Sequence, residues 1–247
     1  REGVNHQPIE PDIPRGGVGN CIACHPAPNF TDFRFHNTGV TQAEYDRIHG
    51  DGAFARLEIP ALTERNNFPD AYLPATKNHP YALEPFRAVP SRDDPKLVDL
   101  GLWNVFANQD FPKPQRSIWR ILCQEEVKET LLIENPEEVV SQLEAQLGEV
   151  LENGEALPFC KPSQLLPRTI AYFKTPGLRD LGHSAPYMHN GAFDSLNSVV
   201  SFYIHSSRLA KDGALRNGSP ELKRISLMEE DIKPLVDFLK SLNEDYE

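Results

Sequence analysis

Residues 21 to 25 read Cys-Ile-Ala-Cys-His. Two thiols three positions apart with an imidazole beside the second is the arrangement that fastens a haem to a polypeptide. The thiols close thioethers on the vinyl groups, and the adjacent ring is carried under the iron. Cys21 and Cys24 are therefore the expected attachment points, His25 the expected proximal iron ligand, and one covalent haem c the expected cofactor. Two other chemistries share this spacing. A redox dithiol is expected within a βαβ pattern, which the chain lacks, and a zinc site needs a second ligand pair, which the sequence does not display. The donor on the far face of the iron then bears on function, because His or Met suits an electron carrier whereas a phenolate favours ferric and higher oxidation states.

Candidates for that donor lie in the last third of the chain. A helix starting near Asp194 or Ser195 places Leu196, Val199, Val200 and Tyr203 at the i, i+3, i+4, i+7 positions of one stripe, so Tyr203 faces inward. His205 falls about 200° from Tyr203 around the same helix and points outward. Met188, one of only two methionines, is the rival, since a thioether is a common haem c ligand. A tyrosine that merely packs in the core, with its hydroxyl bonded elsewhere, is the third reading. Cys123 and Cys160 bracket a 36-residue segment and have no His at metal-ligand spacing, which reads as a disulfide in an oxidising compartment, with two buried free thiols as the alternative. Trp103 and Trp119 are conceivable stations for hole transfer, or packing residues.

Helices and loops must position these groups. Residues 1 to 20 show no periodicity and are rich in Pro and Gly, an extended lead-in or linker; residues 21–247 read as a single haem domain. A short helix capped by Thr41 and closed by Gly50 follows the Cys-His motif, and then a proline-rich irregular stretch over 51 to 92. Asp94, Pro95, Leu97, Leu100, Val105 and Phe106 suggest another helix, and Asn135, Pro136 and Gly154 delimit the clearest one. That helix lies between Cys123 and Cys160, as a helical excursion closed at its base. A last helix over about 229 to 243 carries Ile232, Leu235, Leu239 and Leu242 on one face. Strand patterns are short throughout, so the expected fold class is mainly α and loop-rich, cytochrome c-like, with a long partly helical insertion over about 51–165.

Two blocks, "PNFTDFRFHNTGV" after the Cys-His motif and "FKTPGLRDLGHSAPYMHNGAFDSLNSVVSFY", resemble in this order the C-terminal haem domain of the bacterial di-haem cytochrome c peroxidase and MauG family. The resemblance covers roughly residues 15 to 40 and 170 to 245. It implies that the loop Pro186 to Gly191 packs near the haem, and that the distal ligand stands seventeen positions after Pro186, a Met in the peroxidases and a Tyr in MauG. Here that position is Tyr203. The position of Met188 in that loop is usually apolar or aromatic in the family and does not ligate. The resemblance also implies candidate calcium ligands at Ser184, where the family has Thr, and at the Pro186 carbonyl. Arg179, His189 and His36 fall in the matching blocks, either bonding the haem propionates or fixing the loop as structural residues.

The resemblance further implies a second, peroxide-reactive haem, whereas the chain has a single Cys-x-x-Cys-His, and residues 1 to 20 are too few for another domain. A second haem domain or subunit is then an expected partner, together with a protein redox partner; the expected role is relay of electrons or oxidising equivalents between them. The alternative is a non-catalytic single-haem subunit of a larger cytochrome complex. A net charge of −11, with no Lys/Arg cluster, argues against nucleic acid. No run approaches the roughly 18 apolar residues of a membrane span. The start "REGVNHQPIEPD" lacks an export signal, so a mature or trimmed chain in the periplasm, or otherwise exported, is expected.

Overall fold

The computed structural model describes residues 17–111, 115–131, 134, 137–145 and 160–243. The start of the lead-in, and Asn135, Pro136 and Gly154 of the expected long helix, lie outside the described residues. The helices are α1 (Val40–His49), α2 (Ala53–Arg56), α3 (Leu62–Asn67), α4 (Pro69–Tyr72), α5 (Gln115–Leu131), α6 (Glu137–Ala145), α7 (Pro162–Leu165), α8 (Leu196–Lys211) and α9 (Ile232–Lys240). The described sheet is one antiparallel pair, β1 (Phe35–His36) with β2 (Phe173–Lys174), in the register Phe35 opposite Lys174 and His36 opposite Phe173. The fold is mainly α with long irregular connections, as the sequence leads one to expect.

Local chemistry accounts for the main helix ends. Ser195 caps α8 by accepting the Ser198 N–H on its hydroxyl at 3.2 Å, which satisfies one of the donors a helix start leaves open. Gly39 (φ 92°) begins α1 and Gly50 (φ 95°) ends it, positions whose positive φ suits glycine. Thr41 lies inside α1 and does not cap it; its hydroxyl donates to the Asp99 carbonyl at 3.0 Å. A short 3₁₀ turn, Glu229–Asp231, runs into α9, whose apolar face buries Val236 and Leu239.

The stretch from Asp94 to Ala107 differs from its expected helix. Only Leu102–Asn104 forms a 3₁₀ turn, and the residues before it are extended. Val98 N–H donates to the Pro85 carbonyl and Leu100 N–H to that of Phe86, each at 2.9 Å, while Leu102 N–H donates to Tyr172 at 2.9 Å. The buried side chains are Val98, Leu100 and Leu102, every second residue, so the operative period is two and not 3.6. Gly101 (φ 59°, ψ −121°) lets the chain pass close against Tyr172.

The inserted stretch carries a core of its own. Phe54, Phe86, Val98, Leu100, Trp103, Phe106, Trp119, Leu122 and Leu165 form one buried cluster extending from Tyr45 to Ala171. Arg65 sits fully buried within it, donating to the Trp103 and Phe106 carbonyls, the latter at 2.8 Å, with its guanidinium 5.0 Å from the Trp103 ring centroid. Burial pulls its pKa down to about 10, and the carbonyls and the ring face stand in for a carboxylate. Trp119 donates its indole N–H to the Cys160 carbonyl at 2.8 Å, so both tryptophans pack in this core. Cys123 and Cys160 are fully buried with Cα atoms 5.3 Å apart, a separation that a disulfide spans.

Two smaller clusters lie around α8 and α9 and enclose the site described next. The insertion is fastened to this part by Arg216, whose Nη1 donates to the carbonyls of Phe54 (2.9 Å) and Leu57 (2.7 Å). Arg34, ten residues past Cys24, pairs with Glu125 of α5 at 3.7 Å.

Candidate functional site

Cys21–Ala23 form a 3₁₀ turn entered through Asn20 in the left-handed region (φ 52°). His25 N–H donates back to the Cys21 carbonyl at 2.8 Å, so both thiols and the imidazole belong to one tight loop. The loop is tied off when the Cys24 carbonyl accepts Asp32 N–H at 3.0 Å. His25 Nδ1 donates to the Phe30 carbonyl at 2.8 Å, which fixes the tautomer and leaves Nε2 to carry the lone pair. Burial lowers the His25 pKa, opposed by the Phe30 and Pro176 carbonyls and Asp32, and the neutral ring is the form that ligates a metal.

The two sequence blocks meet through the small sheet. Beyond the pairing of β1 with β2, Thr31 donates its hydroxyl to the Thr175 carbonyl at 2.8 Å and Thr175 N–H donates to Arg34 at 2.9 Å. Phe173 and Pro176 are thereby placed beside the Cys-His loop. From there the chain enters the Pro186–Gly191 loop, which Asn190 anchors by donating to Glu44 of α1 at 2.9 Å. Tyr187 closes the loop on Phe193, N–H to carbonyl at 2.7 Å.

Between these parts lies a cavity of about 700 Å³, within the usual range for a ligand pocket. Cys21, Cys24 and His25 line it on one side; Leu196, Val199, Val200 and Tyr203 of α8 and Leu235 and Leu239 of α9 line it elsewhere. Met188 and His189 also border it. The walls are largely aliphatic and aromatic, as a porphyrin face requires.

The Tyr203 hydroxyl has no hydrogen-bond partner among the described residues, and burial, reinforced by the two cysteine sulfurs, pushes its pKa well above the usual phenol range. Tyr203 is half-buried and borders the cavity, so a group filling the cavity would meet its side chain. Two thiols and an imidazole with a free Nε2 on one side, apolar walls and an orphaned phenol elsewhere together fit a covalently held haem. Met188, held at φ 69°, borders the same cavity, so the structure brings both expected distal donors to it.

No protein-family model matches the chain, and no solved structure matches it. Over 77 residues, 31% of this chain and 19% of the relative, it is 38% identical to "Cytochrome-c peroxidase IdrP1" of Denitromonas iodatirespirans. Over 36 residues, 15% of this chain and 10% of the relative, it is 58% identical to "Cytochrome-c peroxidase IdrP2" of Pseudomonas sp. (strain SCT). A third match, 42% over 71 residues, 28% of this chain and 18% of the relative, is to "Methylamine utilization protein MauG" of Methylorubrum extorquens. Over these partial stretches the chain is similar to cytochrome c peroxidases and to MauG. The matches span less than a fifth of each of these relatives' own length.

Around this cavity the remaining expected residues take distinct places. Arg179 lies on the outside, donating to the Pro28 carbonyl at 3.0 Å with its guanidinium 5.3 Å from the Phe30 centroid, where it braces the loop that holds His25. His189 stacks on Phe173 with centroids 3.6 Å apart, and burial pulls its pKa down to about 4 against the opposing pull of Glu44. His36 is on the attachment side: its Nε2 meets Asp32 at 2.8 Å, and its Nδ1 lies 3.9 Å from Glu221. Ser184 turns its hydroxyl back onto the Asp180 carbonyl at 3.1 Å, and Pro186 follows it across a cis peptide at the cavity rim.

Three contributors escape a reading of the sequence. Phe173 gains its role only when β2 pairs with β1, and Asp32 only when the loop folds back on Cys24. Glu221, in the 3₁₀ segment Pro220–Arg224, reaches the cavity because that segment packs on α8. Its sequence neighbours, Pro220 and Leu222, carry no motif.

Proposed function

We propose that this chain is a c-type cytochrome module of the cytochrome c peroxidase and MauG type. In this reading it relays electrons or oxidising equivalents between a peroxide-reactive haem, held by a second domain or subunit, and a protein redox partner in an exported, oxidising compartment. Cys21 and Cys24 attach the haem, His25 Nε2 is the proximal ligand and Tyr203 the distal one. The observation that carries the reading is the cavity itself, with the Cys-x-x-Cys-His loop on one side and an orphaned phenol elsewhere on its wall.

A haem bound here supplies a one-electron iron couple. The residues of the chain do the rest. The Phe30 carbonyl orients the His25 ring, and α8 and α9 shut water away from the pocket with Val200 and Leu239. His25 and Tyr203 would hold the iron between them and leave peroxide no place to bind, so in this reading peroxide chemistry falls to the partner haem. In that compartment Cys123 and Cys160 are oxidised to a disulfide that closes the inserted core.

The native mass and iron content of the purified particle test the proposal. Two haems per functional unit with peroxide turnover are expected. One haem and no reaction with peroxide would make this chain the single-haem carrier subunit of another complex, and no haem absorption band would end the haem assignment.

A further inference from the structure

We propose that, before haem is attached, Cys24, His36 and Glu221 form a binding site for a divalent zinc-type cation, which occupies the attachment side of the pocket until thioether formation displaces it. One ligand atom from each of the three residues lies within 4.8 Å of the other two, the only such group of His, Cys, Asp and Glu among the described residues. Sulfur, imidazole nitrogen and carboxylate oxygen are the donors that zinc accepts, and three protein ligands leave a fourth position for water.

Two details set this group apart from a chance meeting. Asp32 accepts from His36 Nε2 at 2.8 Å, so the proton of the neutral ring sits on Nε2 and the Nδ1 lone pair faces Glu221. A carboxylate behind a histidine that presents its other nitrogen is the outer-shell arrangement of protein metal sites. Glu221 Oε2 is itself buried and accepts no hydrogen bond. A carboxylate oxygen in that position is costly unless a cation meets it. Glu221 and Asp32, the two carboxylates beside His36, favour a dication over an empty site, and the cation would take the Cys24 sulfur as thiolate.

The sequence hid this site because its second pair of ligands is not a close pair. His36 lies 12 residues and Glu221 197 residues beyond Cys24, and only packing of the Pro220–Arg224 segment brings them together. Zinc and haem are mutually exclusive here, because the sulfur that coordinates the cation becomes the thioether sulfur. Proton balance follows: zinc binding releases the Cys24 thiol proton, and protonation of the freed sulfur releases zinc for attachment. While bound, the cation holds Cys24 away from oxidation with Cys21.

The test uses the full-length chain produced without haem attachment and titrated with Zn²⁺, and with Co²⁺ to reveal a thiolate-to-metal charge-transfer band. One equivalent is expected to bind, with the band present in wild type and in Cys21→Ser and absent in Cys24→Ser. Asp32→Asn is expected to weaken zinc about 10–100-fold. His36→Ala and Glu221→Gln are expected to weaken it at least as much, with circular dichroism reporting whether each variant remains folded. The haem-loaded chain is expected to bind no zinc at this site. Binding that survives loss of His36 and Glu221 but needs both cysteines would overturn the proposal in favour of a simple dithiol site, as would no binding by folded haem-free chain. The haem assignment stands or falls separately, on the absorption band of the loaded protein.

Discussion

Replacing Tyr203 by Phe removes a single oxygen and leaves the ring, so it isolates what that oxygen does. On the protein side the hydroxyl has no partner among the described residues, and it lies at the edge of a cavity of about 700 Å³. With haem filling that cavity, two states of the hydroxyl predict opposite signs. If it faces the porphyrin without reaching iron, it is an orphan that costs about 1–3 kcal/mol, and Tyr203→Phe stabilises the loaded protein by that amount. For a chain of this size this is a rise in melting temperature of about 2–12 °C. If the oxygen ligates iron, the variant instead loses a bond made only in the loaded protein. Its melting temperature falls, its ferric absorption spectrum changes, and its reduction potential rises because an oxygen donor that favours ferric iron is gone. We expect the second outcome. Thermal melts and spectra of loaded wild type, Tyr203→Phe and Met188→Leu measure it. A stabilised Tyr203→Phe with an unchanged spectrum, together with an altered Met188→Leu spectrum, would refute the tyrosine assignment and make Met188 the ligand.

Arg65→Leu strands the Trp103 and Phe106 carbonyls in the inserted core, and a loss of about 2–5 kcal/mol in denaturant unfolding is expected, with haem content of the folded protein unchanged. His189 has its folded pKa lowered from 6.5 to about 4, so the unfolded chain binds the extra proton first. Its contribution is therefore present above pH 6.5 and is lost as the pH falls toward about 4, a slope that His189→Phe should flatten in melts across that range. Thiol labelling of the loaded protein after denaturation without reductant should leave Cys123 and Cys160 unmodified, and prior reduction should expose both; free labelling of the pair without reductant would show them to be thiols.

What could be read in advance follows how local each signal is. Cys21, Cys24 and His25 interact within one loop, and α8 carries its cap and its apolar stripe within sixteen residues, so spacing alone locates them. The segment from Asp94 misled because two periods overlap in it. Leu97, Leu100 and Val105 suit a helix, while Val98, Leu100 and Leu102 suit an extended chain, and it is pairing with Pro85, Phe86 and Tyr172 that decides. Nothing in those residues themselves contains that partner. The buried Arg65 is hidden for a related reason: its partners are carbonyls, which every sequence has.

The haem-type site and the inserted core are also less separable than the chain order suggests. Arg34 leaves the Cys-His loop and pairs with Glu125 of α5, and Glu125 in turn contributes to the negative field at Cys24. Thr41 of α1 bonds Asp99 within the extended segment, and Arg216, on the loop after α8, holds the carbonyls at the end of α2. A displacement of the inserted core would therefore act on the Cys-His loop through Arg34 and on the end of α8 through Arg216, one element on each side of the cavity. Removing one connection distinguishes this coupling from mere proximity. Arg216→Gln keeps a donor but loses the charge and the paired contact to Phe54 and Leu57, and it touches neither thiol nor phenol. If the insertion helps to set the α8 wall, the ferric spectrum of the loaded Arg216→Gln protein shifts in the same direction as that of Tyr203→Phe, by a smaller amount. A spectrum identical to wild type, in a protein destabilised only globally, would show that the inserted core folds beside the haem-type site without positioning it.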